Sequence, residues 1–567
     1  MEIDKDKLKS ALIKGKYATQ KDIDEAEKEG LEQKRSFADV LLNKGLLTND
    51  ILGQALAESI GLPYADLNSR PPSKESVQRI SEAFARKHRA VLFAETDKNV
   101  VIATDKPDEL KNASSLEDAF KGKNIEIAFA LSDDIDKSFS HYRENLTTRF
   151  AEILKKKSSA APEIIEEILK DAEALRTSDI HLEPQEEDVQ IRFRIDGLLQ
   201  EAGRVPKDLF ENILNWIKVR SHLRIDEHFS AQDGSMRFES DGTTVDLRIS
   251  IVPTLDGEKV AIRILAKYVK GFTLSELGFS QQDQVLVTKA SKKPFGMILV
   301  TGPTGSGKTT TLYSVLKMLN VPGVNITTIE DPVEYKVKNL NQIQVNETTK
   351  LTFARGLRTI VRQDPDIILV GEIRDNETAE IAVNAALTGH LLLSTFHAND
   401  AATALPRLLD MGIEPFLLAS TLEIVIAQRL ARKLCENCRY SKSYTMEELK
   451  KLISDPIKYF GNVKSVTLYE GKGCPACSNT GYSGRTAIFE LIQMTPEVQE
   501  LILASSSSQN IWKLASKQGA RSLFDNGMEK VKAGLTSIGE VLRVVTPPEN
   551  IKVYAPTNGN TPEPETK

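Results

Sequence analysis

The chain has 567 residues, which is enough for three or four domains of ordinary size. Its 74 Lys and Arg residues and 80 Asp and Glu residues give a net charge of −6, which argues against a general polyanion binder and predicts no nucleic-acid partner. The sequence contains neither the ~18 consecutive apolar residues of a membrane helix nor an apolar signal core at its amino terminus, so we expect a cytosolic protein.

The first 145 residues predict a module that is helical to about residue 68 and mixed α/β after that point. Within its second half, a helix is predicted over 76–87 and apolar strands over 100–103 and 125–128. The polar, lysine-containing segment 146–162 is the predicted linker to the next domain.

Residues 163–268 predict a second domain built on a half-buried sheet. A helix over 163–176 precedes apolar and polar residues that alternate along 189–195. The next dipeptide, Asp196-Gly197, is a strong hairpin signal. Because the alternation returns within 245–264, the sheet has a wet face that carries arginines.

A phosphate-binding loop (P-loop) follows the apolar run 297–300. Eight residues fit the pattern Gly-x-x-x-x-Gly-Lys-Ser/Thr: Gly302, Pro303, Thr304, Gly305, Ser306, Gly307, Lys308 and Thr309. A buried strand, a glycine-rich turn and the positive end of a helix together bind phosphate. We predict that Lys308 reaches the β- and γ-phosphates of ATP, that Thr309 ligates Mg²⁺, and that Thr310 belongs to the same nucleotide-binding set. The alternative is a glycine-rich turn without a ligand.

The P-loop lies in a domain predicted over 269–553, whose continuous apolar strands are typical of a parallel sheet covered on both faces. Ligands bind at the carboxyl ends of such strands. Glu334 follows the strand at 326–329, and Glu372 follows the strand at 367–370. We predict that Glu334 polarises the attacking water and that Glu372 holds the hydration shell of Mg²⁺. Taken singly, either glutamate is also consistent with an ordinary loop or cap residue.

A strand predicted over 391–395 has a histidine on each side of it, His390 just before and His397 just after. A helix predicted within 352–362 places Arg355, Arg358 and Arg362 on one face, opposite an apolar stripe. This face is consistent with phosphate or intersubunit contacts, and a solvated surface is the alternative.

All four cysteines fall into two Cys-x-x-Cys pairs: Cys435, Cys438, Cys474 and Cys477. Two such pairs predict a closed, structural Zn²⁺ site with tetrahedral thiolate ligands, and surface thiols or a redox pair are the alternative. The metal would hold together the insert 435–477, which shows little core pattern of its own. The polar tail 554–567 is predicted to be disordered.

These motifs together resemble the type IV pilus assembly and type II secretion ATPases. The resemblance covers about residues 160–550, and it rests on the segments 178–184, 194–197, 302–309, 329–334, 363–375 and 388–399 and on the cysteine pairs. It implies a multidomain α/β fold, in which a RecA-like P-loop ATPase domain follows a PAS-like α+β domain and an amino-terminal helical and α/β module. It also implies a cytoplasmic homohexamer that docks at the inner face of the cell membrane on a platform protein and uses ATP to push pilin subunits outward.

The resemblance also implies site residues. Glu334 matches the glutamate of the family's acidic segment, Glu372 matches an atypical Walker B glutamate, and His390 and His397 match a histidine box that senses or relays the γ-phosphate. Arginines of the preceding domain complete a neighbouring subunit's site, and the chain offers three candidates for them, namely Arg248, Arg194 and Arg237. The family places one of these arginines directly after Gln-Asp-Gly, a position that Ser235 occupies here.

The amino-terminal module resembles one that binds cyclic di-GMP in some members of the family. Where that pattern begins with Arg-Leu-Gly and ends with Gln, this chain has Ser36-Phe37-Ala38 and Ser59, so we expect an adaptor rather than a cyclic di-GMP sensor. Four other functions stay open: a type II secretion pseudopilus ATPase, a pilus retraction ATPase, a DNA-processing P-loop protein and a non-hydrolysing scaffold.

Overall fold

The structure, a computed structural model, describes residues 5–33, 36–43, 46–47, 49–110, 120, 122–142, 150, 161–240, 243–265, 273–334, 336–346, 348–474, 477 and 479–547. Most of the predicted linker 146–162 and all of the predicted tail 554–567 lie outside these residues. The chain forms two compact units. The first contains Met1–Ser275, Met318–Val324 and Pro332–Gln342, and the second contains the remainder.

The amino-terminal part of the first unit contains a helical cluster and a small sheet. Its helices are α1 (Lys5–Lys14), α2 (Gln20–Gln33), α3 (Phe37–Asn43), α4 (Asn49–Ser59), α5 (Lys74–Val77), α6 (Glu82–His88), α7 (Pro107–Leu110) and α8 (Ser132–Ser138), followed by a 3₁₀ turn (Phe139–Tyr142). Its strands are β1 (Ala90–Glu95), β2 (Asn99–Thr104) and β3 (Asn124–Phe129), in the order β1-β2-β3. Both predicted strands are confirmed. The single helix predicted over 76–87 is wrong, because Ser81 is extended (ψ 143°) and separates α5 from α6.

The rest of the first unit is dominated by a six-stranded antiparallel sheet with two helices. These elements are α9 (Ala161–Ala174), β4 (Asp179–Pro184), β5 (Asp188–Ile195), β6 (Leu198–Pro206), α10 (Lys207–Arg220), β7 (Gln232–Ser240), β8 (Thr243–Thr254) and β9 (Gly257–Leu265). The strand order is β6-β5-β4-β9-β8-β7. The apolar face of the sheet shares one core with Ile164 and Ile168 of α9 and Ile213 of α10. The predicted alternation is therefore confirmed, and Asp196 (φ 49°) and Gly197 (φ 86°) form the predicted hairpin turn.

The elements that follow build a seven-stranded sheet. The strands are β10 (Gly296–Thr301), β11 (Ile326–Glu330), β12 (Asn341–Gln344), β13 (Ile367–Val370), β14 (Leu391–Phe396), β15 (Leu422–Leu434) and, after an insert, β18 (Tyr482–Gln493). Their order is β12-β11-β13-β14-β10-β15-β18. Strands β14 and β15 each run parallel to β10, and β13 runs parallel to β14. Strand β18 is antiparallel to β15. The predicted parallel sheet is confirmed, with its central strands β10, β13 and β14 buried along their whole length.

Helices surround this sheet and continue to the carboxyl-terminal end of the described chain. They are α11 (Leu274–Leu277), α12 (Gln281–Ser291), α13 (Lys308–Leu319), α14 (Phe353–Ile360), α15 (Asn376–Leu387), α16 (Ala401–Asp410), α17 (Pro415–Thr421), α18 (Met446–Leu452), α19 (Pro456–Phe460), α20 (Pro496–Leu503), α21 (Ser508–Lys517), α22 (Leu523–Lys532) and α23 (Ile538–Val544). Within the part of the chain that the structure describes, no helix combines the length and the apolar character that crossing a bilayer requires.

The insert between β15 and β18 has more internal structure than its sequence pattern indicates. It contains α18, α19 and a hairpin of β16 (Arg439–Thr445) and β17 (Ser465–Gly471). Leu449, Ile453 and Leu468 are almost fully buried in the core of the second unit. These few apolar residues come from separate elements and join the core of the second unit, which is why the sequence shows little core pattern within the insert itself.

A buried ion pair connects α10 to the six-stranded sheet. The Nζ atom of Lys218, which is fully buried, lies 2.7 Å from Oε1 of Glu258 and donates to the carbonyl of Glu227 at 2.6 Å. The second carboxylate oxygen of Glu258 lies 2.7 Å from Nδ1 of His228. Removal of one partner would leave a buried charge without its counterion.

We expect Lys218→Met to destabilise this domain by about 3–5 kcal/mol, and the double variant Lys218→Met/Glu258→Leu to recover most of that loss. Hydrogen exchange of α10 and β9 amides in the full-length protein measures the effect. Lys207→Met, at the exposed start of α10, is the matched control and should change the opening free energy by less than about 0.5 kcal/mol. Equal exchange in the two lysine variants would contradict the prediction.

Candidate active site and metal centre

The P-loop forms the turn between β10 and α13, as the sequence predicts. Two of its glycines are required by close packing against Gln428 of β15. A Cβ atom on Gly302 (φ 149°) would lie 2.6 Å from the carbonyl oxygen of Gln428, and one on Gly307 (φ 85°) would lie 2.9 Å from its Nε2 atom. The loop backbone therefore follows a path that side chains at these positions would block, which fits a loop that surrounds phosphate oxygens with N–H groups.

Lys308 is folded back onto this loop. Its Nζ atom donates to the carbonyl of Gly302 at 2.9 Å and to the carbonyl of Pro303 at 3.2 Å. Burial lowers the pKa of Lys308 below its ordinary value, and the negative charge of Glu372 opposes that change. The buried hydroxyl of Ser306 makes no hydrogen bond within the described residues. The loop thus holds a poorly solvated cation and a hydroxyl without a partner, both of which a phosphate group would satisfy.

Glu372 and His397 meet at the carboxyl edge of the same sheet. The Nε2 atom of His397 lies 3.1 Å from Oε2 of Glu372, and Nη2 of Arg374 lies 2.7 Å from Oε1. The Thr395 hydroxyl donates to the carbonyl of Gly371 at 2.6 Å and fixes the ends of β13 and β14 to each other. The structure therefore brings two of the predicted residues together on the edge that carries the P-loop.

His390 lies at the opposite edge of the sheet. It precedes β14, and its carbonyl accepts a hydrogen bond from Gly296, the first residue of β10. Its Nδ1 atom donates to the carbonyl of Ala385 at 2.8 Å. Because the six residues of β14 span ~20 Å, His390 is separated from the P-loop by the length of the strand. The expectation that His390 senses the γ-phosphate is not supported by this position, since a residue before a parallel strand faces the amino edge.

Glu334 belongs to the segment Pro332–Gln342, which is part of the first unit. Within that unit, Nη2 of Arg248 donates to the carbonyl of Val333, the residue just before Glu334, at 3.1 Å. Glu330, at the end of β11, is buried and accepts hydrogen bonds from the hydroxyls of Tyr313 and Thr328. Of the two glutamates in this acidic segment, Glu330 is thus committed to internal hydrogen bonds.

The predicted arginines of the first unit lie on the wet face of the six-stranded sheet. Arg194 is paired across the strands with Asp179, Asp179 with Arg263, and Arg263 with Arg248. Asp179 lies 3.0 Å from Nε of Arg263 and 3.5 Å from Nε of Arg194. We refer to Arg194, Asp179, Arg263 and Arg248 as the arginine row.

The sequence interpretation placed Arg263 on the polar side of its strand but did not select it as a site residue. Its alternation within β9 shows that it faces solvent, but only the strand register places it opposite Arg248. Ser235 is the cross-strand partner of Arg248 on the other side, whereas Arg237 is paired with Asp246 at 2.8 Å. Arg237 therefore lies outside the arginine row.

Arg355 and Arg358 of α14 lie on an exposed surface, as does Arg362, two residues beyond the end of the helix. Arg355 donates to the carbonyl of Lys350 at 3.4 Å, and Arg362 donates to that of Arg358 at 2.8 Å. Arg358 forms an ion pair with Glu377 of α15 at 2.6 Å. The predicted arginine face is thus present, with its side chains directed to neighbouring carbonyls and one carboxylate.

The four cysteines lie where the insert leaves the main sheet. Cys435 follows β15, Cys438 precedes β16, Cys474 follows β17 and Cys477 precedes β18. Their Sγ atoms all lie within 4.8 Å of one another, with 3.8 Å between Cys435 and Cys474 and between Cys438 and Cys477. Tetrahedral thiolates at ~2.3 Å from Zn²⁺ are ~3.8 Å apart, so this donor set fits the ion.

Glu490 is a buried carboxylate that joins two helices to β18. It accepts a hydrogen bond from the amide of Ala401, the first residue of α16, at 2.8 Å, and another from that of Leu523, the first residue of α22, at 3.3 Å. Burial raises the pKa of Glu490 to about 7, the Asp400 charge also raises it, and the two amides and Arg429 oppose the change.

The fold and the site define a P-loop ATPase of the RecA-like class. The family described as "Type II/IV secretion system protein" matches residues 155–543, and the MshEN domain matches residues 60–148. The Legionella pneumophila ATPase DotB shares the fold with a TM-score of 0.52 at 20% identity, over 68% of this chain and 96% of that one.

The sequence is also similar to several named relatives. It is 38% identical to the type IV pilus assembly ATPase PilB of Thermus thermophilus over 89% of this chain and 58% of the relative. For PilB of Myxococcus xanthus the identity is 35%, over 95% of this chain and 99% of the relative. Type II secretion system protein E of Pseudomonas aeruginosa is 46% identical over 67% of this chain and 74% of the relative. The chain belongs to the type II/IV secretion system protein family.

The raised pKa of Glu490 predicts a pH-dependent stability. Between its ordinary value of 4.5 and about 7, the folded chain keeps a proton that the unfolded chain releases. Stability should therefore fall as the pH rises through this interval and become independent of this group above it. Glu490→Gln should remove that component, so that the melting temperature of the variant relative to wild type increases from pH 5 to pH 8.

Thermal unfolding across this pH range measures the effect. Glu500→Gln, on the exposed surface of α20, is the control and should give a curve parallel to that of the wild type. Parallel curves for Glu490→Gln and wild type would show that Glu490 does not titrate in this interval.

Proposed function

We propose that this chain is a ring-forming ATPase that powers type IV pilus assembly from the cytoplasmic side of the inner membrane. The observation that carries the proposal is the grouping of Lys308, Glu372 and His397 at one sheet edge, in a chain that is similar over 95% of its length to a relative named as a pilus assembly ATPase. Its partners would be five further copies of this chain and an inner-membrane platform protein.

Each residue of the site has a proposed role. The backbone N–H groups of the P-loop, which residues 302–307 supply except at Pro303, bind the phosphates. Lys308 exchanges its contacts with the loop carbonyls for the β- and γ-phosphate oxygens. Thr309 would ligate Mg²⁺ and Glu372 would hold its hydration shell, and the ion would supply positive charge against the negative charge that develops on the phosphate oxygens. The imidazole of His397 orients the Glu372 carboxylate through their 3.1 Å contact. We retain Thr310 in the nucleotide-binding set, and Glu334 as the group that positions the attacking water.

The arginine row supplies positive charge to ATP turnover in the ring. Arg248 is the first candidate, since its guanidinium already contacts the chain next to Glu334. Arg194 shares the row, and the exposed ion pair of Arg237 with Asp246 makes Arg237 the weakest of the three. Arg355 and Arg362 are proposed to contact a neighbouring subunit. A cation that reaches phosphate only when domains close would couple hydrolysis to domain motion.

The domain division follows the same proposal. Residues 1–145 form an adaptor module, 146–162 a linker, 163–268 the arginine-bearing domain, 269–553 the ATPase domain and 554–567 a tail. The adaptor is proposed not to sense cyclic di-GMP, because Ser36, Phe37, Ala38 and Ser59 replace the expected ligand residues. Zn²⁺, bound by the four cysteines, would fix the ends of the insert between β15 and β18.

Two further functions have specific support or a specific test. A type II secretion pseudopilus ATPase is favoured by the 46% identity to protein E, although that similarity covers a smaller part of the chain. A DNA-processing ATPase would bind polyanions, and the net charge of −6 argues against it. Complementation of pilus-assembly mutants and of secretion mutants distinguishes pilus assembly from type II secretion. DNA-stimulated turnover would support the DNA-processing function.

We expect Glu334→Gln and Glu372→Ala each to lower steady-state phosphate release by at least about 100-fold, because each removes a group that acts on the attacking water or the metal. Binding of a fluorescent ATP analogue should change much less in Glu334→Gln. Glu377→Gln, which changes the exposed partner of Arg358, is the control and should retain wild-type turnover. Undiminished phosphate release from both glutamate variants would eliminate the proposed chemistry, whereas nucleotide binding without turnover in the wild type would favour a scaffold.

The zinc site gives an independent prediction. Metal analysis of the purified chain should find about one Zn²⁺ per chain, and Cys474→Ser should lose it with a lower melting temperature, because a tetrahedral site with three thiolates binds more weakly. Thr467→Ser, on the neighbouring strand β17, is the matched control and should retain zinc. A wild-type chain without zinc, or a Cys474→Ser variant with full occupancy, would contradict the assignment.

A further inference from the structure

One side chain outside the P-loop is bonded to two points of it. Gln428 lies in β15, one residue beyond the cross-strand pair of Thr301 and Ala427, and is almost fully buried. Its Nε2 atom donates to the carbonyl of Ser306 at 2.7 Å, and its Oε1 atom accepts from the hydroxyl of Thr311 at 2.7 Å. One amide group thus bridges two points five residues apart in the segment that contains Lys308 and Thr309.

The geometry leaves little freedom in this bridge. A carbonyl can only accept, so the NH₂ group of Gln428 must face the Ser306 carbonyl. The amide oxygen then faces the Thr311 hydroxyl, which donates to it. Thr311 is fully buried, so its hydroxyl has no access to water as a substitute partner. The amide orientation is therefore determined at both ends.

The bridge also fixes the direction of the loop backbone. A carbonyl that turned toward the phosphate cavity would repel phosphate oxygens, and the bond from Gln428 holds the Ser306 carbonyl against β15 instead. The Thr311 bond fixes the first turn of α13, from which Lys308 and Thr309 project. The absence of a side chain at Gly307 leaves the space that the Gln428 amide occupies.

We infer that Gln428 is a positioning residue for ATP, which holds the P-loop and the start of α13 in their phosphate-binding conformation from the neighbouring strand. This inference rests on the proposed ATPase function. A bridge that persists through turnover contributes equally to binding the substrate and the transition state, so its loss should raise KM more than it lowers kcat.

The test compares Gln428→Met, which keeps the side-chain volume and removes both hydrogen bonds, with Thr311→Val, which removes the second bond from the other side. Each should weaken binding of a fluorescent ATP analogue about tenfold. The double variant should bind the analogue as well as the more strongly affected single variant does, because both substitutions disrupt the same bridge. Thr311→Ser keeps the hydroxyl and should bind within about twofold of wild type. In all of them kcat should change by less than about threefold.

Asn526→Leu is the matched control for loss of a buried amide, because the Asn526 side chain accepts from the Phe489 amide in a contact between α22 and β18. It should lower the melting temperature of the nucleotide-free chain and leave ATP affinity unchanged. Gln428→Met also leaves buried polar groups unpaired and should lower the melting temperature, but unlike Asn526→Leu it should in addition weaken ATP binding about tenfold.

Wild-type ATP affinity in Gln428→Met, or additive losses in the double variant, would overturn the inference and leave the proposed function intact. Asn526→Leu measures how much ATP affinity is lost for a given loss of melting temperature. If the affinity loss in Gln428→Met is no larger than that relation gives, the inference is also overturned. A wild-type chain that does not bind ATP would overturn the proposed function and the inference together.

Discussion

The parallel pairing of β10 with β15 is the constraint on which the ATP site depends. Between the pairs Met297–Leu422 and Ile298–Ile424 the register shifts by one residue, at Glu423. A one-residue slip in a strand exchanges the two faces of the sheet. The shift at Glu423 therefore determines that Gln428, rather than a neighbour, faces the P-loop. Gly302 and Gly307 then permit the close approach that this register requires.

The chemistry of the site follows from a second consequence of parallel pairing. Strands that point the same way end at the same edge, so the residues that follow β10, β13 and β14 converge although they are far apart in the chain. This edge brings the charge of Glu372 close enough to act on the pKa of the buried Lys308. His397 and Arg374 bracket the carboxylate and leave it few orientations. A site made in this way is held by the sheet itself, and the loops only carry the side chains.

Buried charges elsewhere appear where elements of different type must be joined. Glu490 receives the first amides of two helices, and Lys218 connects a helix to Glu258 at the start of β9. Each charged side chain supplies the hydrogen-bond partner that water would otherwise have to provide to the buried polar groups it contacts. On the wet face of the six-stranded sheet the same principle acts weakly, since Asp179 is shared between arginines that remain accessible. The arginine row is thus ordered by a carboxylate without being neutralised by it.

The sequence by itself determined the features that depend on local pattern and spacing. The P-loop, the strand alternation along β5, the hairpin at Gly197 and the paired cysteines are all readable in this way, because the residues that define each feature are close in the chain. Only the tertiary structure decided which distant residues meet. His390 and His397 look equivalent in the sequence, yet β14 separates them by its length. Gln428 has no local signature, since its partners lie more than a hundred residues away. Strand order and register, set by packing over the whole sheet, carry that information, and no short segment contains it.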